Sequence, residues 1–252
     1  MNEVKSSISD NGQYPIIVQE AAINDDIFNI FKSHPWYTPI LEHVSNEDGL
    51  KYLEIIKKDY PHLLNNINKY KTNDTMGSPI RYSYTDIGEI SPTTLRYIKV
   101  LGEVIENFGG LDDLDIVEIG CGYGGQAKII FDTYNVKSYT FIDLPVVLSL
   151  IKKYLSKFNI DTNKLIFKDI TSLTENEKYD LFISNYAYTE CTENIRETYF
   201  KTILSKCRMG YLTSNFLSHE TIDKEIINRI QNCSKLNERP STDDKNFIII
   251  WK

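Results

Sequence analysis

From Asp115 to its end, the chain alternates short apolar runs with longer amphipathic segments, and this pattern most constrains the fold. The apolar runs include "DIVEIGC", "SYTFIDL" and "YDLFISNYA", which have the length of buried strands. The segments between them, such as "VVLSLIKKYLSKF", carry apolar residues at the three- and four-residue spacing of helices. Strands that alternate with helices form a parallel sheet with helices on both faces. The pattern therefore predicts an α/β fold.

The last two apolar runs depart from this alternation. "SKLNERP" and "NFIIIWK" both have strand character, and the short "STDD" lies between them. Parallel neighbours need a crossover connection of a dozen or more residues, whereas antiparallel strands can be joined by a short turn. We therefore predict a mostly parallel sheet that finishes in a C-terminal antiparallel hairpin.

The front of the chain has a different pattern. "EAAINDDIFNIFKSH" and "DGLKYLEIIKKDYPHLLNNINKY" show helical spacing of apolar residues, and the turn-rich "KTNDTMGSP" follows them. We predict a small helical cap at residues 1–75, packed on a main domain at residues 76–252. A further helix is predicted in "SPTTLRYIKVLGEVIENFGG", with Ser91 as its N-cap and Gly109 near its end.

Composition limits the partners of this chain. A net charge of −7 without a basic run argues against a nucleic-acid partner, because phosphate binding relies on clustered Lys and Arg. No apolar run is long enough to cross a bilayer, and the polar first residues lack a signal core. The four cysteines are scattered, as in a chain of reduced thiols. We expect a cytoplasmic protein with a small-molecule substrate and no membrane partner, either monomeric or a homodimer.

A glycine-rich stretch, "VEIGCGYGGQAKII", follows the first strand of the α/β part and opens a helix. Gly120, Gly122 and Gly125 satisfy G-x-G-x-x-G, which is the dinucleotide pattern, while Gly120, Gly122 and Gly124 satisfy G-x-G-x-G, a pattern of S-adenosylmethionine sites. Glycines let the backbone approach a ligand closely. The loop, including Cys121, is thus predicted to bind a nucleotide-like cofactor, with NAD and S-adenosylmethionine both open.

Carboxylates follow the next two predicted strands. Asp143, beside Leu144, can accept hydrogen bonds from both hydroxyls of a ribose, and helix capping is its structural alternative. Asp169, beside Ile170, lies at the next strand end, where a turn is the alternative. Because ligands of open α/β sheets bind at the carboxyl ends of strands, we predict that these four residues contact the cofactor.

A polar and aromatic cluster, "ISNYAYTE", ends the fourth predicted strand. It lies at the same ligand-binding edge of the sheet. We predict that Asn185 contacts the cofactor and that Tyr186 and Tyr188 contact the substrate, with Tyr84 as a further aromatic contact outside this cluster. Packing is the alternative for each tyrosine.

Several segments in order resemble one family, the sugar O-methyltransferases of bacterial surface-polysaccharide gene clusters. The resemblance covers roughly residues 77–216, and it is carried by "ISPTTLRYIKVLGEV", "DIVEIGCGYGGQAKII", "YTFIDLPVVLSLIKKYL", "YDLFISNYAYTE" and "GYLTSNF". It implies a Rossmann-like class I methyltransferase sheet, S-adenosylmethionine as methyl donor and a sugar hydroxyl as acceptor. We expect the acceptor to be a nucleotide-activated hexose or heptose used in capsule or lipopolysaccharide synthesis.

The resemblance also implies roles for single residues. Glu118, two residues before Gly120, matches an acidic position that helps to hold the cationic methionine end of the donor. Thr93 and Arg96 precede the glycine stretch and are implied contacts of the same end. Asp169 matches the position that binds the adenine amino group.

Methyl transfer to a hydroxyl requires alignment and removal of a proton. His219 is predicted as the general base, because it follows the fifth strand in "TSNFLSHET", and Glu190 is the rival base. No metal site is predicted, although a metal held by carboxylates from separate loops stays an alternative.

Two other functions remain open. The first is an NAD-dependent oxidoreductase or epimerase of sugars. Two features argue against it, namely the terminal hairpin and the lack of a Tyr-x-x-x-Lys pair after the fourth strand. The second is a non-catalytic protein that binds the cofactor.

Overall fold

A computed structural model describes residues 12–215 and 222–252 of the chain. Its strands are β1 (Tyr82–Tyr84), β2 (Gly88–Ile90), β3 (Asp115–Ile119), β4 (Ser138–Ile142), β5 (Leu165–Lys168), β6 (Tyr179–Asn185), β7 (Cys207–Ser214), β8 (Cys233–Asn237) and β9 (Phe247–Trp251). Its helices are α1 (Tyr14–Ile23), α2 (Asp25–Phe28), α3 (Thr38–Leu41), α4 (Asn46–Asp59), α5 (Ile67–Tyr70), α6 (Pro92–Phe108), α7 (Gly125–Phe131), α8 (Pro145–Leu155), α9 (Ala187–Glu190), α10 (Glu193–Thr202) and α11 (Ile222–Ile227).

Seven of the described strands form one central sheet, in the order β5-β4-β3-β6-β7-β9-β8. β3 to β7 are parallel to their neighbours within this set. β9 lies between β7 and β8 and is antiparallel to both. The predicted α/β class, with a mostly parallel sheet and a C-terminal antiparallel hairpin, is confirmed.

Apolar side chains cover both faces of the sheet. Successive residues of a strand point to opposite faces, so Ile116 and Val117 of β3 belong to two different buried clusters. One cluster joins the sheet to α6, α7, α8 and the N-terminal helices, and the other joins it to α10. Burial on both faces explains why the central strands read as continuous apolar runs.

Helix α6 forms as its sequence predicts. The hydroxyl of Ser91 accepts a hydrogen bond from the backbone N–H of Thr93 at 3.2 Å, which caps the helix start. Gly109 ends the helix with φ of 85°, a conformation that favours glycine. This long helix packs against α4 and carries Arg96 in its second turn.

The N-terminal helices pack directly on the rest of the chain, α1 against α8 and α4 against α6. Val18 and Ile56 from this region are fully buried in the same cluster as Leu101 and Ile151. A shared core of this kind agrees with a cap that cannot bury enough apolar surface alone. The boundary between residues 1–75 and 76–252 stays a prediction.

A short antiparallel hairpin, β1 and β2, precedes α6 and was not predicted from the sequence. Each of its strands has three residues, which is too few for a periodic pattern to be recognised. In the part of the chain that the structure describes, no helix is both long and apolar enough to cross a membrane.

Candidate active site

One cavity of about 690 Å³ opens at the carboxyl edge of the parallel strands. The predicted site residues that line it from β3, β4 and the loops after them are Glu118, Gly120, Cys121, Gly122, Asp143 and Leu144. Those that line it from elsewhere are Arg96, Asp169, Ile170, Asn185, Tyr186 and Glu190. The parallel topology brings these residues together, because the carboxyl ends of adjacent parallel strands meet at one edge.

Three predicted contacts lie away from the cavity wall. Tyr188 is buried against Phe182, with ring centroids 6.4 Å apart, in the cluster under the sheet. Tyr84 of β1 is buried beneath α4, where a Cβ atom on Gly49 would collide with its hydroxyl oxygen. Thr93 is buried behind the wall, with its hydroxyl 3.5 Å from the carbonyl oxygen of Leu41. For the two tyrosines, the packing alternative describes the observed position, and Thr93 has no direct access to the cavity in this structure.

Gly124 also lies off the wall, and His219 lies outside the described residues. Gly124 is the N-cap of α7 with φ of 90°, and a Cβ atom there would be 3.1 Å from Cγ2 of Ile151. Its glycine is therefore required by backbone conformation and by packing on α8.

The glycine loop packs closely against helices α3 and α9. Gly120 and Gly122 have φ of 75° and 55°, in the left-handed region. A Cβ atom on Gly120 would collide with Ala187 of α9, and one on Gly122 would lie 3.0 Å from Cδ1 of Leu41 in α3. Glycine at both positions keeps the loop backbone on the cavity wall with no side chain in the way.

Asp143 ties the end of β4 to this loop. Its Oδ2 accepts a hydrogen bond from the backbone N–H of Cys121 at 2.8 Å, and its Oδ1 accepts one from the N–H of Leu144 at 2.8 Å. The N-cap of α8 is Leu144, so Asp143 does not cap that helix. These two hydrogen bonds from backbone N–H groups fix the orientation of the carboxylate on the cavity wall.

Asp169 has the turn interactions that were the alternative to cofactor binding, and it also lines the cavity. Its Oδ1 accepts hydrogen bonds from the N–H of Thr171 at 2.9 Å, from the Thr171 hydroxyl at 2.6 Å and from the N–H of Ser172 at 3.1 Å. The bond from the Thr171 hydroxyl is the main reason that the pKa of Asp169 is lowered. Asp169 thus organises the turn after β5 while it lines the cavity.

Glu118 is a buried carboxyl beside the glycine loop. It is 2% exposed, and its Oε2 accepts a hydrogen bond from the hydroxyl of Tyr139 at 2.8 Å. Burial raises the pKa of Glu118 to about 8, although the bond from Tyr139 opposes the rise. A cation placed in the cavity beside this carboxyl would favour its charged form.

The N-terminal helices supply wall residues that sequence reasoning missed, namely Tyr14, His43, Asp48 and Tyr52. Asp48 is positioned by the start of α4, where its backbone N–H donates to the hydroxyl of Ser45 at 3.1 Å. The sequence signalled this helix start, but it did not signal that the start would face the sheet edge. These side chains reach the cavity only through tertiary packing.

The loop between β8 and β9 supplies another missed part of the wall, Thr242, Asp243 and Asn246. The hydroxyl of Tyr186 donates to Glu238 at the start of this loop, and the N–H of Thr242 donates to the same carboxylate at 3.0 Å. Tyr186 has φ of 70°, which is strained for a bulky residue. This strained turn and the C-terminal loop are therefore connected across the cavity.

Glu190 also lines the cavity. Its carboxylate accepts a hydrogen bond from Nδ2 of Asn215, which follows β7. Burial raises the pKa of Glu190, although the bond from Asn215 opposes the rise. Within residues 12–215 and 222–252, no three His, Cys, Asp or Glu side chains are placed to hold a metal ion.

The chain was compared with known proteins. No protein-family model matches the chain. A stretch of 111 residues is 29% identical to malonyl-(acyl-carrier protein) O-methyltransferase of Acetivibrio thermocellus, covering 44% of this chain and 38% of that protein. The chain therefore spans well under half the length of that relative.

Solved structures similar to the chain include the methyltransferase domain of bacterial CtHen1-CN, at 12% identity and a TM-score of 0.49, over 62% of this chain and 97% of that one. They also include the N-methyltransferase NodS from Bradyrhizobium japonicum WM9, at 15% identity and a TM-score of 0.46, over 62% and 92% of the two chains. The strand order with its reversed β9 defines a Rossmann-like methyltransferase fold.

Proposed function

We propose that this chain is an S-adenosylmethionine-dependent O-methyltransferase that transfers a methyl group to a sugar hydroxyl. The fold and the curated relative's name support methyl transfer. The resemblance of residues 77–216 to sugar O-methyltransferases supports the acceptor class.

The burial of the Glu118 carboxyl beside the glycine loop is the observation that most supports S-adenosylmethionine as the donor. The methionine end of S-adenosylmethionine bears an ammonium, a carboxylate and a sulfonium, so it is a net cation. A buried carboxyl whose pKa is raised to about 8 gains a favourable charge partner when such a cation binds beside it. The residues present therefore fit this donor, with Glu118 and the glycine loop at its methionine end and Asp143 at its ribose.

The glycine loop fits a dinucleotide less well. A pyrophosphate is held at the start of the helix that follows the third glycine. Here a Cβ atom on Gly125 would be 2.5 Å from Cε2 of Tyr97 and 2.7 Å from Cε2 of Tyr123, so this glycine serves helix packing, which is the role of the third glycine in the dinucleotide pattern too and does not separate the two cofactors. The carboxylate of Asp143 on the cavity wall would repel a pyrophosphate beside the loop.

The other half of the cavity suits a polyhydroxyl acceptor. Asp48, Asp243 and Asn246 offer carboxylate and amide groups that bind hydroxyls, and Tyr52 and Tyr199 offer rings on which a sugar can pack. Three parts of this proposal derive from the sequence. They are the nucleotide-activated form of the acceptor, the role in capsule or lipopolysaccharide synthesis, and the cytoplasmic location.

Titration calorimetry of the purified chain with S-adenosylhomocysteine, and separately with NAD, tests the donor. We expect saturable binding of the first and no binding of the second. Binding of NAD alone would overturn the proposal in favour of the oxidoreductase.

The acceptor is tested with methyl-labelled S-adenosylmethionine and a panel of free sugars, methyl glycosides and nucleotide sugars. We expect one sugar class to gain a labelled methyl group, detected by mass. If donor binding is seen but every class in the panel stays unlabelled while amines or thiols are methylated, the sugar assignment is wrong. Donor binding without any product would favour the non-catalytic alternative.

A further inference from the structure

His43 lies on the cavity wall just after α3. Three of the four histidines are among the described residues, and the other two of these, His34 and His62, do not line the cavity. Nδ1 of His34 accepts a hydrogen bond from the backbone N–H of Trp36 at 3.3 Å, and His62 is exposed. His43 is therefore the imidazole that the described part of the chain offers to a ligand in this cavity.

The segment that carries His43 lies over the glycine loop. Leu41 is the side chain that a Cβ atom on Gly122 would approach to 3.0 Å. The carbonyl oxygen of Leu41 accepts a hydrogen bond from Nη2 of Arg96 at 3.5 Å. His43 follows two residues later, beside the loop to which the proposed function assigns the donor. The inference about His43 rests on the proposed function.

Charges from two helices face the imidazole of His43. Partial burial lowers the pKa of His43, and the guanidinium of Arg96 from α6 lowers it further. A hydrogen bond with the backbone of Ile40 and the charge of Asp48 from α4 act in the opposite direction, but the net pKa is lowered. The imidazole is therefore neutral near pH 7 and has a lone pair that can accept a proton.

We infer that His43 is the residue that takes the proton of the acceptor hydroxyl during methyl transfer. Its imidazole nitrogen binds this proton as the hydroxyl oxygen forms its bond to the methyl carbon. The bond from that carbon to sulfur breaks, and its electron pair stays on sulfur. The products are S-adenosylhomocysteine, the methyl ether and an imidazolium, and His43 is exposed enough to return the proton to water.

Glu190 has a different role in this arrangement. Its carboxylate already accepts a hydrogen bond from Asn215, and a carboxylate oxygen can accept a second donor. We assign Glu190 to orientation of the acceptor, because its carboxylate is already engaged by the side chain of Asn215.

An NMR titration of the whole chain tests the inference without any acceptor. The imidazole Cε1–H signals are followed against pH in the complexes with S-adenosylmethionine and with S-adenosylhomocysteine, which differ by the charge on sulfur. His43→Gln assigns the signal of His43, and His62→Gln is the matched control. A sulfonium close to His43 should weaken its proton binding by about tenfold in the first complex relative to the second, whereas His62 should not change.

Equal proton affinities of His43 in the two complexes would overturn the inference. A sulfonium-dependent change at His219 with none at His43 would also overturn it and would move the base to His219. Absence of binding by either compound would instead contradict the proposed function, so the two failures are distinguishable. With an acceptor from the panel, His43→Gln should lower kcat by about 10²–10⁴-fold at unchanged affinity for S-adenosylhomocysteine.

Discussion

The carboxylate of Asp143 accepts a hydrogen bond from the backbone N–H of Cys121 at 2.8 Å, which links the end of β4 to the glycine loop after β3. The bond joins two elements that are twenty-two positions apart in sequence. It makes one carboxylate both a support for the loop and a wall of the cavity. A ligand hydroxyl that binds Asp143 would therefore meet a carboxylate whose orientation is already fixed, which lowers the entropic cost of binding.

Asp143→Ala should weaken binding of S-adenosylhomocysteine by roughly 10–100-fold, because hydrogen bonds to a charged group contribute about 1.5–3 kcal/mol. Asp143→Asn keeps the shape and one oxygen, and it should lose less affinity than the alanine variant. Calorimetry at pH 7 measures both. An unchanged dissociation constant in Asp143→Ala would remove this residue from the donor site.

Glu118→Gln should change how the stability of the unliganded protein depends on pH. The pKa of Glu118 is raised from 4.5 to about 8 in the folded chain, so the folded chain holds a proton that the unfolded chain releases between these values. The stability contributed by this proton is fully present below pH 4.5 and is lost as pH rises to about 8.

The glutamine variant should therefore lose less stability than the wild type between pH 4.5 and about pH 8, the window set by these two values. Denaturant titrations across that range measure the difference. The affinity of the wild type for cationic S-adenosylmethionine should also rise with pH over the same interval, because binding of the cation favours the carboxylate. Parallel pH dependence in Glu118→Gln would show that another group is responsible.

Gly122→Val should abolish donor binding while the chain stays folded. The valine would be strained at φ of 55° and would lie against Leu41 on the cavity wall. Gly109→Val is the matched control, since Gly109 has φ of 85° but no atom within 4 Å of the position that a Cβ atom would occupy. Both variants should lose stability, whereas Gly122→Val alone should lose donor binding in calorimetry. Normal binding by Gly122→Val would show that the loop is not the donor site.

The sequence predicts the sheet and much of its edge for a simple physical reason. Period-two and period-3.6 patterns are local, and parallel strands place their carboxyl ends together, so Glu118, Asp143 and Asn185 can be assigned to one site from the sequence alone. The glycine motif is less informative, because it cannot distinguish a glycine that lines the cavity, such as Gly122, from one that packs on a helix, such as Gly124.

The remainder of the cavity could not be predicted because it depends on tertiary packing. Tyr14 and His43 come from the N-terminal helices, and Asp243 comes from the loop between β8 and β9. No local pattern relates these positions to the glycine loop, since they reach it only when α1 packs on α8 and when β9 inserts between β7 and β8. The same limit applies to Tyr188, whose position in sequence beside Tyr186 does not reveal that its ring points into the core.

Tyr186→Phe should weaken acceptor binding and leave donor binding unchanged. The hydroxyl of Tyr186 donates to Glu238, which is 5% exposed and holds the loop that carries Asp243. Loss of one donor to a buried carboxylate costs about 1–3 kcal/mol and should loosen this loop without affecting the glycine loop. With an acceptor identified, steady-state kinetics should give a raised KM for the acceptor, and calorimetry should give an unaltered affinity for S-adenosylhomocysteine.

Tyr82→Phe, on the exposed hairpin, serves as the control and should behave as wild type. A Tyr186→Phe variant with normal acceptor KM would show that the β8–β9 loop does not take part in acceptor binding.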